Sequence, residues 1–201
     1  MVKRDFVLVG VGGQGTILAS DVLAAVGQEM GYDVKKSEVH GMAQRGGSVV
    51  SFVRWAERVY SPLIARGEAD YLLAFEKLEV LRYAELLRPE GTALVNDYAI
   101  MPLSVSSGND EYPADERILS VLRSVTPRAY LLPAAAEAEQ LGNARVNNVV
   151  LIGALSVFMA EVATPFWIEA IRERVPARFA DLNERAFVTG QDLVKNLGMG
   201  R

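Results

Sequence analysis

The stretch FVLVGVGGQGT, residues 6–16, decides the fold prediction, because it joins an apolar run to a helical pattern through four glycines. The unbroken apolar run at residues 6–9 is typical of a strand that is buried on both faces of a parallel sheet. Residues 16–30 predict a helix, since apolar residues recur at a spacing of four from Leu18 and Gly31 is placed to end it. The stretch therefore predicts a strand, a glycine turn and a helix in direct succession.

Strand-like and helix-like segments alternate through the rest of the chain. Further strands are predicted at residues 33–39, 48–55, 69–75, 92–97 and 128–132. Helices are predicted at residues 76–88, 114–124, from Pro133 to Gly142, 146–162, from the N-cap Thr164 and Pro165 to about Arg174, and 181–196. A turn is expected at residues 89–91 and a mobile loop at 101–113. The alternation predicts an α/β fold, a Rossmann-like doubly wound, mostly parallel sheet with additional C-terminal helices, in a single domain of residues 1–201.

Composition excludes several classes of function. The net charge of -4 comes without a basic stripe, which argues against nucleic-acid binding. The chain has no cysteine, so it cannot form a disulfide, a thiolate zinc site or a cysteine-held iron-sulfur cluster. Its longest apolar stretch, residues 149–160, is shorter than the roughly 20 residues that cross a bilayer. We expect a cytoplasmic protein that binds neither nucleic acid nor membrane.

The glycine turn is the first candidate site. It satisfies G-x-G-x-x-G between a strand and a helix, where backbone N–H groups can approach a phosphate. We assign cofactor binding to its residues Gly10, Gly12, Gly13, Gln14, Gly15 and Thr16. The alternative is that the glycines only form a tight turn. A complete dinucleotide site is disfavoured, because Glu38 near the expected acidic position is preceded by two lysines.

The second candidate site is the stretch SEVHGMAQRGGSV, residues 37–49, which holds the only histidine. Arg45 offers a planar fork of donors for carboxylate or phosphate, and His40 can donate, accept or act as a base. Gln44 lies between them, and Gly46 and Gly47 permit close backbone approach to a ligand. A structural histidine and an arginine that pairs across an interface are the simpler alternatives. Asn147 and Asn148 are interpreted as helix caps, with amide donation to a site as the alternative.

Six strings together resemble one protein family. They are GVGGQGT, SEVHGMAQRGGSV, ADYLLAFEKLEVLR, TALVND, VNNVVLIGAL and NERAFVTG, and they span nearly the whole chain. The chain resembles the beta subunits of indolepyruvate ferredoxin oxidoreductases, in the gamma family of 2-oxoacid:ferredoxin oxidoreductases. The HGMAQRGG string favours the indolepyruvate type, whereas the glycine loop is common to the broad family.

The resemblance implies an enzyme that decarboxylates aryl pyruvates with coenzyme A and passes two electrons to ferredoxin. It implies that thiamine diphosphate, Mg and 4Fe-4S clusters belong to an alpha subunit, with no metal in this chain. His40, Gln44 and Arg45 would then support the partner's active site, and the glycine loop would bind coenzyme A or remain as an unused nucleotide loop. Alternatives are the equivalent subunit of a pyruvate, 2-oxoisovalerate or 2-oxoglutarate enzyme, a free-standing NAD(P)-binding oxidoreductase, and a non-catalytic scaffold.

Overall fold

A computed structural model of the chain describes residues 3–41 and 47–198. Its strands are β1 (Arg4–Val11), β2 (Asp33–His40), β3 (Ser48–Ala56), β4 (Ala69–Ala74), β5 (Leu87–Asn96) and β6 (Ala129–Leu132). Its α-helices are α1 (Thr16–Glu29), α2 (Lys77–Tyr83), α3 (Leu103–Ser106), α4 (Asp115–Val125), α5 (Ala134–Gln140), α6 (Asn147–Val157), α7 (Thr164–Arg174) and α8 (Ala180–Asn196). Every predicted strand is present, with ends that differ by a few residues.

The six strands form one sheet in the order β2-β3-β1-β4-β5-β6. Strands β1, β4, β5 and β6 run parallel, and β3 runs antiparallel to both of its neighbours, β1 and β2. The predicted α/β fold with a mostly parallel sheet is therefore confirmed. The reversal of β3 has a simple cause: the connection from His40 to Ser48 is too short for the crossover of a dozen or so residues that a parallel pair requires.

The central strands of the sheet are buried on both faces, and β1 shows this in its alternation. Phe6 and Leu8 pack in a core cluster with residues of α1, α6, α7 and α8. Val7 and Val9 pack on the opposite face with residues of α2 and α4. All four side chains are fully buried, so the apolar run that predicted a two-sided strand reflects helices on both faces.

Helices α6 and α8 pack with unusually close backbones. A Cβ on Gly190 of α8 would lie 1.9 Å from the carbonyl oxygen of Val150, and a Cβ on Gly153 of α6 would lie 2.0 Å from that of Phe187. The two glycines therefore allow the helices to approach where side chains would collide. Within residues 3–41 and 47–198, the structure contains no helix long and apolar enough to cross a membrane.

The predicted helix at 76–88 and turn at 89–91 are corrected by the structure. Helix α2 ends at Tyr83, a 3₁₀ turn follows, and β5 begins at Leu87. Leu87 and Thr92 pair with residues of β4 that are only two positions apart, so the residues between them form a bulge inside β5. A bulge tolerates a proline, which has no N–H to donate, and this explains why a turn-like sequence lies within a strand.

Three smaller predictions also differ from the structure. Helix α6 ends at Val157, although the core continues through Met159 and Val162, because apolar character follows burial and not helix length. Helix α7 has Ala163 as its N-cap residue and no side-chain cap hydrogen bond, so the predicted cap is displaced by one residue. The predicted loop at 101–113 contains the short helix α3.

Candidate functional site

The glycine loop connects the carboxyl end of β1 to α1, and β1 is an internal strand that lies between β3 and β4. Gly13 and Gly15 have φ angles of 101° and 81°, a region that favours glycine. Gly15 is the N-cap residue of α1, which has no side-chain cap hydrogen bond and no acidic residue in its first turn. A Cβ on Gly13 would meet no described atom within 4 Å. The loop thus presents helix N-terminal N–H groups, which favour an anion.

Gln14 fixes this loop to the neighbouring strands. Its Oε1 accepts from the N–H of Val11 at 2.7 Å, and its Nε2 donates to the carbonyl of Phe75 at 2.9 Å. The same carbonyl accepts from Nδ2 of Asn96 at 3.2 Å, and Oδ1 of Asn96 accepts from the N–H of Ala135 at 3.0 Å. The predicted cofactor residue Gln14 therefore holds the loop from inside. The sequence analysis assigned no role to Asn96, although it lies within the string TALVND.

Gly10 and Thr16 lie beneath the loop. A Cβ on Gly10 would lie 2.9 Å from Oε1 of Gln14 and 3.2 Å from Cβ of Phe75. A larger residue would therefore displace the Gln14 side chain and disturb its two hydrogen bonds. The hydroxyl of Thr16 is buried and has no hydrogen-bond partner among the described residues. Their assignment to a bound cofactor stays a prediction.

The structure brings the two sequence motifs together at one junction. The N–H of Gly12 donates to the carbonyl of Gly47 at 2.9 Å, and the N–H of Gly41 donates to the carbonyl of Ser48 at 2.8 Å. Ser48 also pairs with Val11, the residue from which the glycine loop departs. Because β1 and β3 are antiparallel, the end of β1 lies beside the start of β3, and both motifs therefore lie at the same end of these strands.

The polar groups predicted in the second motif are described only in part. The backbone of His40 ends β2, opposite Val49 on β3. Gln44, Arg45 and Gly46 lie outside the described residues. The catalytic roles assigned to His40, Gln44 and Arg45, and the binding role assigned to Gly46, stay predictions.

Asn148 contacts the glycine loop, so the predicted capping role is wrong and the alternative of amide donation describes this contact. Helix α6 has Val146 as its N-cap residue, without a side-chain cap hydrogen bond. The Nδ2 of Asn148 instead donates to the carbonyl of Gly15 at 3.3 Å, and a Cβ on Gly15 would lie 2.2 Å from that nitrogen. Asn147 donates to the carbonyl of Ala144 at 2.6 Å. A buried asparagine at the start of an apolar helix was the available signal for this contact.

Glu38 does not occupy the position that a dinucleotide site requires. Strand β3 separates β1 from β2, so the strand that carries Glu38 is not adjacent to the strand that leads into the glycine loop. The carboxylate of Glu38 accepts from Nζ of Lys36 at 2.8 Å and from the hydroxyl of Ser20 at 3.3 Å. This geometry favours an anion site over a site for a whole dinucleotide.

A buried carboxyl group adjoins the junction. Glu79 of α2 accepts a short hydrogen bond from the hydroxyl of Ser48, and its Oε1 lies 3.3 Å from Nε of Arg82. Burial raises the pKa of Glu79 above its usual value, and the donors on Ser48 and Arg82 oppose this only in part. Its N–H donates to Oε2 of Glu76 at 2.9 Å. The sequence analysis assigned no role to Glu79, although it lies within the string ADYLLAFEKLEVLR.

The donors available in the described residues suit anionic groups. The glycine loop offers N–H groups without a competing carboxylate in the first turn of α1. Among the described residues, no three histidine or acidic side chains are grouped as a metal site, and the chain contains no cysteine. The loop therefore offers N–H donors of the kind that bind phosphate, and the described residues contain no group of ligands for a metal or an iron-sulfur cluster.

The chain is similar to several known proteins over nearly its whole length. A model of the family described as pyruvate ferredoxin/flavodoxin oxidoreductase matches residues 5–193. An indolepyruvate oxidoreductase subunit IorB from Archaeoglobus fulgidus is 40% identical over 94% of both chains. A 2-oxoglutarate synthase subunit KorC from Methanothermobacter marburgensis is 30% identical over 96% of this chain and 97% of the relative.

A solved structure supports the fold. The gamma subunit of a keto/oxoacid ferredoxin oxidoreductase from Geobacter sulfurreducens superposes with a TM-score of 0.71 at 24% identity, over 96% of this chain and 99% of that one. At this identity the likeness concerns the fold alone. Since the family model and the Archaeoglobus relative both cover nearly the whole sequence, the chain belongs to the pyruvate ferredoxin/flavodoxin oxidoreductase family.

Proposed function

We propose that this chain is the beta subunit of an indolepyruvate:ferredoxin oxidoreductase. The enzyme would oxidatively decarboxylate aryl pyruvates to aryl-acetyl-CoA and reduce ferredoxin. The observation that carries the proposal is the junction at which Gly12 donates to Gly47, because it joins the glycine loop to the HGMAQRGG string. The relative at 40% identity, named as an indolepyruvate oxidoreductase subunit, supports the substrate class.

The role of the chain in this proposal is to complete a site that another subunit begins. The partner's thiamine diphosphate would supply the carbanion chemistry at the 2-oxo carbon, and its 4Fe-4S clusters would take the electrons. This chain has no cysteine to hold such a cluster, which supports an alpha subunit that carries the clusters, the thiamine diphosphate and Mg. Ferredoxin would then be reached through the complex.

The glycine loop would bind the phosphates of coenzyme A. Its N–H groups, with Gly46 and Gly47 on the adjoining segment, would orient the anion while Gln14 and Asn148 hold the loop from behind. Arg45 would pair with the substrate carboxylate or a phosphate, and His40 and Gln44 would support the partner's active site. The proposal includes a cytoplasmic location.

Reconstitution with the partner tests the proposal. Reduction of ferredoxin that depends on indolepyruvate and on coenzyme A is expected only when both polypeptides are present. Arg45→Ala should raise the KM for indolepyruvate or coenzyme A in the same assay, and titration calorimetry should detect coenzyme A binding to the complex. Equal affinities and turnover in Arg45→Ala would remove the role assigned to Arg45, and the absence of heat would remove coenzyme A from the glycine loop.

A second candidate substrate follows from one relative. The similarity to a 2-oxoglutarate synthase subunit favours the equivalent subunit of a 2-oxoglutarate enzyme, within a group that also acts on pyruvate and 2-oxoisovalerate. Side-by-side turnover of the reconstituted complex on indolepyruvate, 2-oxoglutarate, pyruvate and 2-oxoisovalerate separates the two proposed functions. A preference for indolepyruvate in kcat/KM supports the first proposal, and a preference for 2-oxoglutarate supports the second.

A further inference from the structure

Glu79 is a buried ionisable group that contacts Ser48 at the junction of the two motifs, and the proposed function does not use it. The residue is 5% exposed. Its carboxylate accepts from the hydroxyl of Ser48, which also lies 3.4 Å from the hydroxyl of Tyr83. Glu79 thereby connects α2 to the first residue of β3.

Ser48 transmits this contact to both motifs through its backbone. Its carbonyl accepts from the N–H of Gly41 at 2.8 Å, and the preceding carbonyl, of Gly47, accepts from the N–H of Gly12 at 2.9 Å. Ser48 is also paired with Val11 in the sheet. A displacement of Ser48 would therefore move the base of the glycine loop and the start of the second motif together.

We infer that Glu79 is a positioning residue, which holds Ser48 and so fixes the Gly12–Gly47 junction in the geometry that coenzyme A binding requires. The inference rests on the proposed function of the glycine loop. Glu79 does not touch the ligand in this account; it acts through Ser48. Among the described residues, the charged and titratable groups that face it are Arg82, which attracts it, and Glu76, which repels it, with Tyr83 beside Ser48.

The raised pKa of Glu79 sets the pH dependence of its contribution to stability. Burial raises the pKa of Glu79, so the ionised form is disfavoured in the folded chain. The folded-state pKa lies above the unfolded one, so the stability that Glu79 contributes is complete at low pH and is lost as the pH rises through the folded pKa. A neutral amide would avoid this loss, and a stability role alone would therefore favour glutamine.

The test compares Glu79→Gln, Ser48→Ala and the double variant in the reconstituted complex, with Glu85→Gln as the matched control. Glu85 is an exposed carboxylate close to α2 that pairs with Arg66. Glutamine at position 79 can still accept from the Ser48 hydroxyl but lacks the charge that strengthens this bond, which predicts that kcat/KM for coenzyme A falls about 10-fold in Glu79→Gln, with kcat at saturating coenzyme A little changed. Ser48→Ala removes the bond and should show at least this loss, and the double variant should lose little more than Ser48→Ala alone.

The pH dependence separates positioning from a stabilising role. In the wild-type complex, kcat/KM for coenzyme A should fall as the pH drops through the raised pKa of Glu79. In Glu79→Gln it should stay at the low-pH wild-type level throughout, while the melting temperature at neutral pH is equal to or above that of wild type. A variant with unchanged kcat/KM, or one whose activity falls only with its melting temperature, overturns the inference.

Amide exchange distinguishes failure of this inference from failure of the proposed function. Exchange of the Gly12 N–H, measured in the full chain, should be faster in Glu79→Gln and Ser48→Ala than in wild type and Glu85→Gln. If the wild-type complex shows no coenzyme A-dependent turnover, the proposed function fails. The exchange measurement alone then decides whether Glu79 fixes the Gly12–Gly47 junction through Ser48. Unchanged exchange at Gly12 would overturn the inference whatever the activity.

Discussion

At the scale of single residues, the site depends on glycines with two separable requirements. Gly15 needs both a positive φ of 81° and the absence of a Cβ, which would lie 2.2 Å from Nδ2 of Asn148. Gly67 has a similar φ of 72°, but a Cβ there would meet no described atom within 4 Å. The pair separates backbone strain from steric collision in one protein.

We predict that Gly15→Ala destabilises the chain more than Gly67→Ala. The left-handed backbone costs a residue with a Cβ about 1–2 kcal/mol, and this is the whole effect expected for Gly67→Ala. Gly15→Ala adds the cost of overpacking against a buried amide, about 1–3 kcal/mol. Urea unfolding of both variants measures the difference, and equal losses would show that Asn148 can move aside freely.

At the scale of elements, contacts between helices decide features that local propensity does not. Gly190 lies in the interior of α8, where alanine is intrinsically the better helix former. A Cβ at this position would lie 1.9 Å from the carbonyl oxygen of Val150 on α6. Propensity and packing therefore predict opposite signs for the same substitution.

Gly190→Ala should destabilise the chain despite the gain in helix propensity. Propensity alone predicts a gain of about 1 kcal/mol, whereas the backbone collision predicts a net loss of about 1–3 kcal/mol. Asp192→Ala, on the exposed side of the same helix, is the matched control and should be close to neutral. A Gly190→Ala variant as stable as wild type in thermal unfolding would contradict the close packing of α6 on α8.

The same contrast explains what sequence could and could not predict. The apolar run at residues 6–9 identified β1 because burial on both faces leaves a local pattern. The direction of β3 leaves no pattern within the strand and follows only from the short connection that precedes it. The bulge before Thr92 was interpreted as a turn because proline and glycine suit both. Asn148 contacts the loop, and Asn96 shares the Phe75 carbonyl with Gln14, only because the fold brings distant parts of the chain together. Glu79 was missed for the same reason.

At the scale of the whole molecule, we propose that residues 1–201 form a single domain. The two core clusters lie on opposite faces of one sheet, and strands such as β1 contribute to both. Trp167 of α7 is fully buried and Trp55 of β3 nearly so, and both pack on the same face of the sheet, so tryptophan fluorescence reports on that face. Far-ultraviolet circular dichroism instead reports on the helices of both faces. One shared sheet makes independent unfolding of either face costly.

Unfolding in urea should therefore follow one transition by tryptophan fluorescence and by circular dichroism. Coincident midpoints are expected from a single cooperative unit. Midpoints that separate would divide the chain into two units and contradict the single-domain proposal.

The central claim is that the glycine loop and the second motif complete the site of a cluster-bearing partner. The most direct measurement is the coenzyme A-dependent and indolepyruvate-dependent reduction of ferredoxin by this chain, by the partner polypeptide and by their mixture. The account predicts activity in the mixture alone, with a higher KM for coenzyme A when Glu79 is replaced by glutamine. An active partner without this chain, or an inactive mixture in which both polypeptides are folded and carry their cofactors, would contradict it.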